Sequence, residues 1–176
     1  MPKITVTEYV SLDGVFEEPG RWSFPFWTDE AATWKYDELI ASDAQLLGRV
    51  TYEGFAAVWP TMTDEAGFAD RMNGMQKYVV SSTLKEPSWT NTTVITVDGI
   101  KDLPEKNVLV AGSARLVDTL FKEGLVDELR LLVHPIVLGS GKQLFHDGLP
   151  TTSLELEDQQ TFGSGVLALT YRRPAA

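Results

Sequence analysis

Apolar positions along the chain set the first pattern. Ile4, Val6 and Val10 fall on one side of an extended segment and predict a strand over Ile4 to Val10. Ser11-Leu12-Asp13-Gly14 then turns the chain, since an Asp-Gly pair tolerates positive φ. A loop with Pro19-Gly20 and Pro25 follows, rich in Trp22, Phe24, Phe26 and Trp27. Thr28 is placed to cap a helix whose first turn holds Asp29 and Glu30 and whose apolar stripe is Ala32, Tyr36, Leu39 and Ile40. A strand over Ala44 to Leu47 ends in Gly48, and a helix starts near Arg49 with Thr51, Phe55, Val58 and Trp59 on one face before Pro60 stops it. Thr63 to Gly74 reads as a short helix, and Lys77 to Ser82 and Thr93 to Val97 read as strands.

Val108 to Ala111 is apolar on both faces, the mark of a central parallel strand. Gly112-Ser113 opens a helix with Leu116, Val117, Leu120 and Phe121 inward, and Gly124 sits where a left-handed C-terminal cap belongs, closed by Leu125. The remainder reads as strands over Glu128 to Leu138, Leu154 to Thr161 and Val166 to Arg172, the last two joined by Gly163-Ser164-Gly165. Strands alternating with helices and ending in antiparallel strands predict an α/β protein of three layers with a mixed sheet. Glycine and proline are scattered as turn punctuation, so residues 1–176 are expected to form one domain.

Composition narrows the chemistry. There is no cysteine, which removes thiol nucleophiles, disulfides, iron–sulfur clusters and cysteine zinc sites together. His134 and His146 are the only histidines and lie without a carboxylate pattern between them, so no metal site is expected, and His134 reads as structural. With 25 acidic against 15 basic residues the net charge is -10, which disfavours nucleic acid and anionic membranes as partners. The opening Met1-Pro2-Lys3-Ile4 lacks the basic and apolar pattern of a signal peptide, and no stretch is long enough to span a bilayer, so a cytoplasmic protein is expected.

Three junctions at predicted strand ends carry the candidate chemistry. Gly48-Arg49-Val50-Thr51 offers a tight turn, free helix N–H groups, a cation and a hydroxyl, a good place for phosphate, though it also reads as turn and surface. Ser81-Ser82-Thr83 supplies three hydroxyls and reads equally as a Ser/Thr turn. Gly112-Ser113-Ala114-Arg115 presents small residues at a helix start, where a pyrophosphate can approach the backbone, and Ser113 reads also as a plain N-cap. Parallel sheets bind ligands at the carboxyl ends of their strands, so the three junctions together point to a dinucleotide. Asp13 and Gly14 border the loop of Trp22, Phe24 and Trp27, whose aromatics form either a wall for a flat substrate or part of the core. Complete GxGxxG, GxxxxGK[ST] and GxSxG patterns are absent.

The segments Ser11-Leu12-Asp13-Gly14, Leu47-Gly48-Arg49-Val50-Thr51-Tyr52-Glu53, Val79-Val80-Ser81-Ser82-Thr83-Leu84, Ala111-Gly112-Ser113, Glu123-Gly124-Leu125-Val126-Asp127-Glu128-Leu129 and His134-Pro135-Ile136-Val137-Leu138-Gly139-Ser140-Gly141 occur in that order. The set resembles the dihydrofolate reductase-like superfamily. Within it, the likeness is to stand-alone proteins related to the reductase domain of the riboflavin-biosynthesis deaminase-reductase. The resemblance implies a mostly parallel sheet of about eight strands and NADPH as hydride donor. It implies that Gly48, Arg49, Thr51, Ser81, Ser82 and Thr83 hold the 2′-phosphate and a neighbouring phosphate. Gly112, Ser113, Ala114 and Arg115 would face the pyrophosphate, and Asp13 and Gly14 would lie near nicotinamide and substrate.

Two departures bear on the substrate. Asp29 and Glu30 are the nearest acids on the first helix, outside the motif of true dihydrofolate reductases, and Val110-Ala111 stand where riboflavin reductases usually place an acid. The expectation is an NADPH-dependent reductase acting on a C=N or C=O group of a small pyrimidine- or pterin-like substrate, resembling 5-amino-6-(5-phosphoribosylamino)uracil reductase and not a true dihydrofolate reductase. Asp13 or water would give the proton. The alternative is a nucleotide-binding or sensing protein of the same fold without turnover. An exposed edge strand near the C-terminus suggests a homodimer.

Overall fold

The computed structural model describes residues 1–174. Strand β1, Lys3–Ser11, lies near the middle of an eight-stranded sheet. The other strands are β2 (Ala44–Gly48), β3 (Gln76–Val80), β4 (Thr92–Ile95), β5 (Asn107–Val110), β6 (Glu128–His134), β7 (Glu155–Thr161) and β8 (Leu167–Arg172). Their spatial order is β4-β3-β2-β5-β1-β6-β8-β7. All pairings from β4 to β6 are parallel, whereas β8 runs antiparallel to both β6 and β7. The sheet is thus mixed, as the alternation of strands and helices predicts, and mostly parallel, as the resemblance implies.

Among the described residues four α-helices flank it: α1 (Asp29–Ile40), α2 (Arg49–Val58), α3 (Phe68–Gly74) and α4 (Ala114–Lys122). Side chains alternate across each strand, so the two faces of the sheet build separate cores. On one face Ile4, Val6, Val108 and Val110 pack against Leu116, Val117, Leu120 and Phe121 of α4. On the other, Leu47, Val79 and Leu109 meet Leu39 of α1, Tyr52 of α2 and Met72 of α3. A smaller cluster joins Ala31 to Leu132, Phe162, Val166 and Ala168.

Local chemistry fixes the ends of these helices. Thr28 accepts a hydrogen bond from the Ala31 N–H at 3.2 Å and caps α1 as expected. Gly124, at φ 64, ends α4, with the Leu125 N–H donating to Leu120 O at 2.8 Å. Three expectations shift. The stripe read for α1 is displaced: Ala31 and Leu39 are buried, whereas Ile40 is exposed. The helix predicted from Thr63 begins only at Phe68, because Asp64 turns the chain there and accepts from the Phe68 and Ala69 N–H groups. The strand predicted to run to Leu138 stops at His134, since Pro135 lacks an N–H for the ladder and the Ile136 N–H turns back to His134 O.

Candidate active site

The chain leaves β1 through α1 on one face of the sheet and leaves the neighbouring β5 through α4 on the other. Such a switch point opens a crevice at the carboxyl ends of the two strands. The pairing register shows the opening. β1 pairs with β5 only from Lys3↔Asn107 to Val6↔Val110, yet it stays paired with β6 as far as Ser11↔His134. Beyond Val6 the sheet divides.

Glycines line one wall of the division. The Gly48 N–H at the end of β2 donates to Gly112 O, 3.2 Å away, beyond the end of β5. A methyl at Gly48 would lie 2.0 Å from Ser113 Oγ and 3.0 Å from Ser113 N. A methyl at Gly112, whose φ is +85, would lie 2.9 Å from Thr51 Oγ1 and 3.9 Å from Glu8 Oε1. Only glycine lets the two strand-to-helix junctions touch, and both glycines are buried in that contact. Ser113 stands at the start of α4 but its hydroxyl makes no capping bond; it faces Gly48 instead. The Gly112–Ser113 peptide is cis.

The third junction joins this wall from the side. Gly48 pairs with Val80, so Ser81 follows directly beside the glycine turn. The Ser81 hydroxyl accepts from the Thr83 and Leu84 N–H groups at 3.2 and 3.0 Å, the Ser/Thr turn that its sequence allows, while Ser82 and Thr83 are exposed. Arg49 is exposed on the first turn of α2 and pairs with Glu53 at 2.9 Å. Arg115 is exposed on the first turn of α4, beside a depression of about 510 Å³ that also touches Ala114 and Gly141. The fold therefore gathers Gly48, Arg49, Thr51, Ser81, Ser82, Thr83, Gly112, Ser113, Ala114 and Arg115 along the carboxyl edge of three adjacent strands, β3, β2 and β5.

Asp13 and Gly14 stand at the carboxyl end of β1. Ser11 Oγ donates to Asp13 Oδ1 at 2.6 Å, and the Leu138 and Gly139 N–H groups donate to its two oxygens at 3.1 and 2.8 Å. These donors, Ser11 first, pull its pKa down to about 2. Asp13 is therefore an ionised clamp between the loops after β1 and β6. Held in this way, it is ionised at neutral pH.

The aromatic loop divides. Trp22 is buried, its indole N–H donating to Glu17 O at 3.0 Å and its ring 5.2 Å from His134. It belongs to the core and is no substrate wall. His134 is buried as expected, ringed also by Tyr9 and Phe26, and burial lowers its pKa. Phe24 and Trp27 are exposed, at 72% and 47%, and remain available.

Sequence reasoning missed Glu8. In β1 it falls in the same register as Ile4, Val6 and Val10, a charged residue on the core-facing side of the strand. In the structure it stands at the division of the sheet, and its Oε1 is buried without a hydrogen-bond partner. Burial pushes its pKa up to about 8, with Lys35 lowering it, Glu38 raising it and the Gly112 N–H lowering it. Among the described residues no three His, Cys, Asp or Glu side chains gather as a metal site. No helix of the described residues is long and apolar enough to cross a membrane.

Known proteins share this fold. The chain is 34% identical over 143 residues to the uncharacterized protein YyaP of Bacillus subtilis, covering 77% of this chain and 76% of that protein. Its fold superposes with a TM-score of 0.81 on a Shewanella protein assigned to riboflavin biosynthesis, at 19% identity, covering 98% of this chain and 99% of the other. It superposes with a TM-score of 0.66 on dihydrofolate reductase from Enterococcus faecalis in complex with NADP(H), at 14% identity, covering 98% and 97%. Residues 2–168 match the family described as the RibD C-terminal domain. The dihydrofolate reductase-like sheet, its divided centre and this match over nearly the whole length agree: the chain belongs to the RibD C-terminal domain family.

Proposed function

We propose that this protein is an NADPH-dependent reductase that delivers hydride to a C=N or C=O carbon of a small, pyrimidine- or pterin-like heterocycle. The observation that carries the reading is the close contact through which Gly48 and Gly112 bring the starts of α2 and α4 together at the switch point, with small residues at both junctions. Membership of the RibD C-terminal domain family supports a reductase of the riboflavin-biosynthetic type.

NADPH, when bound, supplies the hydride. The chain's own residues bind and orient. Arg49 exchanges its exposed Glu53 partner, a pair of little energetic weight, for the 2′-phosphate, and Thr51, Ser81, Ser82 and Thr83 add hydroxyl donors. The small residues Gly112, Ser113 and Ala114, with Arg115, accept the pyrophosphate on the first turn of α4. Asp13 fixes the loops after β1 and β6 around the substrate end, and Gly14, Phe24 and Trp27 border it.

The test is NADPH oxidation followed by absorbance across pterins, pyrimidines and small carbonyl compounds. Turnover of at least one heterocycle is expected. Binding of NADPH with no oxidation across the panel would favour a sensing protein instead. Arg49→Ala should weaken NADPH by roughly tenfold, the worth of one charge-assisted contact, and leave NADH nearly unchanged. Equal losses for both nucleotides would remove Arg49 from 2′-phosphate recognition.

A further inference from the structure

Reduction of a C=N or C=O bond needs a proton as well as a hydride, and Asp13 is bound by three donors and ionised. One other carboxyl stands at the division of the sheet. Glu8 lies two residues past the last β1–β5 pair, and its Oε1 is sealed from water with no hydrogen-bond partner, close beneath the Gly112 turn. The residue as a whole is only partly buried. A buried polar atom left without a partner is rare and marks a strained or working group.

We propose that the Glu8 carboxyl supplies the proton that accompanies hydride transfer. The inference rests on the reductase reading above. Hydride adds to the carbon of the C=N or C=O bond, and the π electrons move to the nitrogen or oxygen. That atom takes the Glu8 proton as the Glu8 O–H bond breaks. The carboxylate that remains takes a proton back from water. The surroundings suit the role. Glu8 is protonated at neutral pH through burial, as a carboxylic acid in an apolar site can be. Lys35 and Glu38 of α1 act on it in opposite directions, Tyr9 next to it in β1 is electrostatically coupled to it, and Gly112, which follows β5, is uncharged. Leu131 pairs with it from β6.

The role has a consequence that needs no substrate. The nicotinamide ring is neutral in NADPH and cationic in NADP⁺. An acid beside it ionises more readily when the oxidised form is bound. Linkage then requires the ratio of the two dissociation constants to change with pH. The 2′-phosphate titrates in both forms and cancels in the ratio.

Dissociation constants for NADPH and NADP⁺ should be measured by fluorescence between about pH 6 and about pH 9, for the wild-type protein and Glu8→Gln. Preference for NADP⁺ should rise roughly tenfold across this range in the wild type, one unit of differential ionisation, and stay flat in Glu8→Gln. A flat ratio in the wild type, or an unchanged slope in the variant, would overturn the inference and leave the reductase reading standing. Failure of both nucleotides to bind would overturn that reading and this inference with it. Carbon-13 NMR of glutamate-labelled wild-type protein serves if the variant does not fold. The glutamate titrating above neutrality should have a lower midpoint with NADP⁺ than with NADPH, and equal midpoints would refute the proposal.

Discussion

At the scale of single residues, two carboxyl groups on one strand behave oppositely because their surroundings differ. Asp13 accepts three hydrogen bonds and stays ionised; Glu8 has an oxygen with none and stays protonated. Their effects on stability run in opposite directions with pH. For Asp13 the folded value is lowered, so its contribution is full above about 3.8 and fades as pH falls towards about 2. Asp13→Ala should lower the melting temperature at neutral pH and flatten this acid limb, as differential scanning calorimetry would record. For Glu8 the folded value is raised, so its contribution is full below about 4.5 and is lost as pH rises towards about 8. Glu8→Gln should therefore gain on the wild type between pH 5 and pH 8, in urea denaturation at the two values; a constant difference would contradict the raised pKa. Gly48 is as constrained as either acid. Gly48→Ala drives a methyl into Ser113, at a cost of about 1–3 kcal/mol, and should weaken nucleotide binding as well. The Asp13 turn and the glycines were legible as residue types. Glu8 was legible only as a charge that breaks the apolar register of Ile4, Val6 and Val10; that β5 ends beside it was not, because strand alternation carries no signal of where a neighbouring strand ends.

The elements were legible where one local rule decided them. Thr28, Gly124 and the apolar run at Val108 each specify an end or a strand by short-range chemistry. The misread ends lie where a longer-range contact or a proline intervenes, at Asp64 and Pro135. Lys77 belongs to the second kind. From sequence it opens a strand; in the structure it is fully buried, with its ammonium donating to the Met72, Asn73 and Met75 carbonyls at the end of α3. It also sits 4.3 Å from the centre of the Trp89 ring. This one side chain joins α3 to β3. Lys77→Met leaves those carbonyls without their donor and should cost about 1–3 kcal/mol in chemical denaturation. Burial lowers the Lys77 pKa to about 8, below its ordinary 10.5, so the folded form sheds the proton first. Wild-type stability should rise from pH 8 to pH 10.5 relative to the variant. A second polar bridge ties α1 to the sheet. Lys35 pairs with Glu38 and donates to Thr7, while Arg130 and Lys3 share Glu128. No periodicity in α1 announces it, since Glu38 occupies a buried position that reads as polar.

At the scale of the whole molecule, the order of strands makes the site. Neighbouring β1 and β5 send the chain to opposite faces, and every candidate nucleotide contact falls on the edge that this arrangement opens. Sequence motifs located the junctions, and the resemblance supplied the topology; which strands are neighbours was not in the alternation itself. The far edge has its own consequence. β7 is exposed along its full length and carries Glu155, Glu157 and Asp158. Two copies pairing there would bring like charges together, so the expected homodimer should strengthen with salt. Light scattering should give about twice the 19.5 kDa chain mass at high ionic strength, and a monomer throughout would contradict pairing. Binding of NADPH at the Gly48–Gly112 junctions works against a net charge of -10 that gives a polyanion no general welcome. It is tested most directly by titrating the protein with NADPH and following nicotinamide fluorescence. Saturable binding of one nucleotide per chain is predicted, and no binding at high micromolar NADPH would contradict the account.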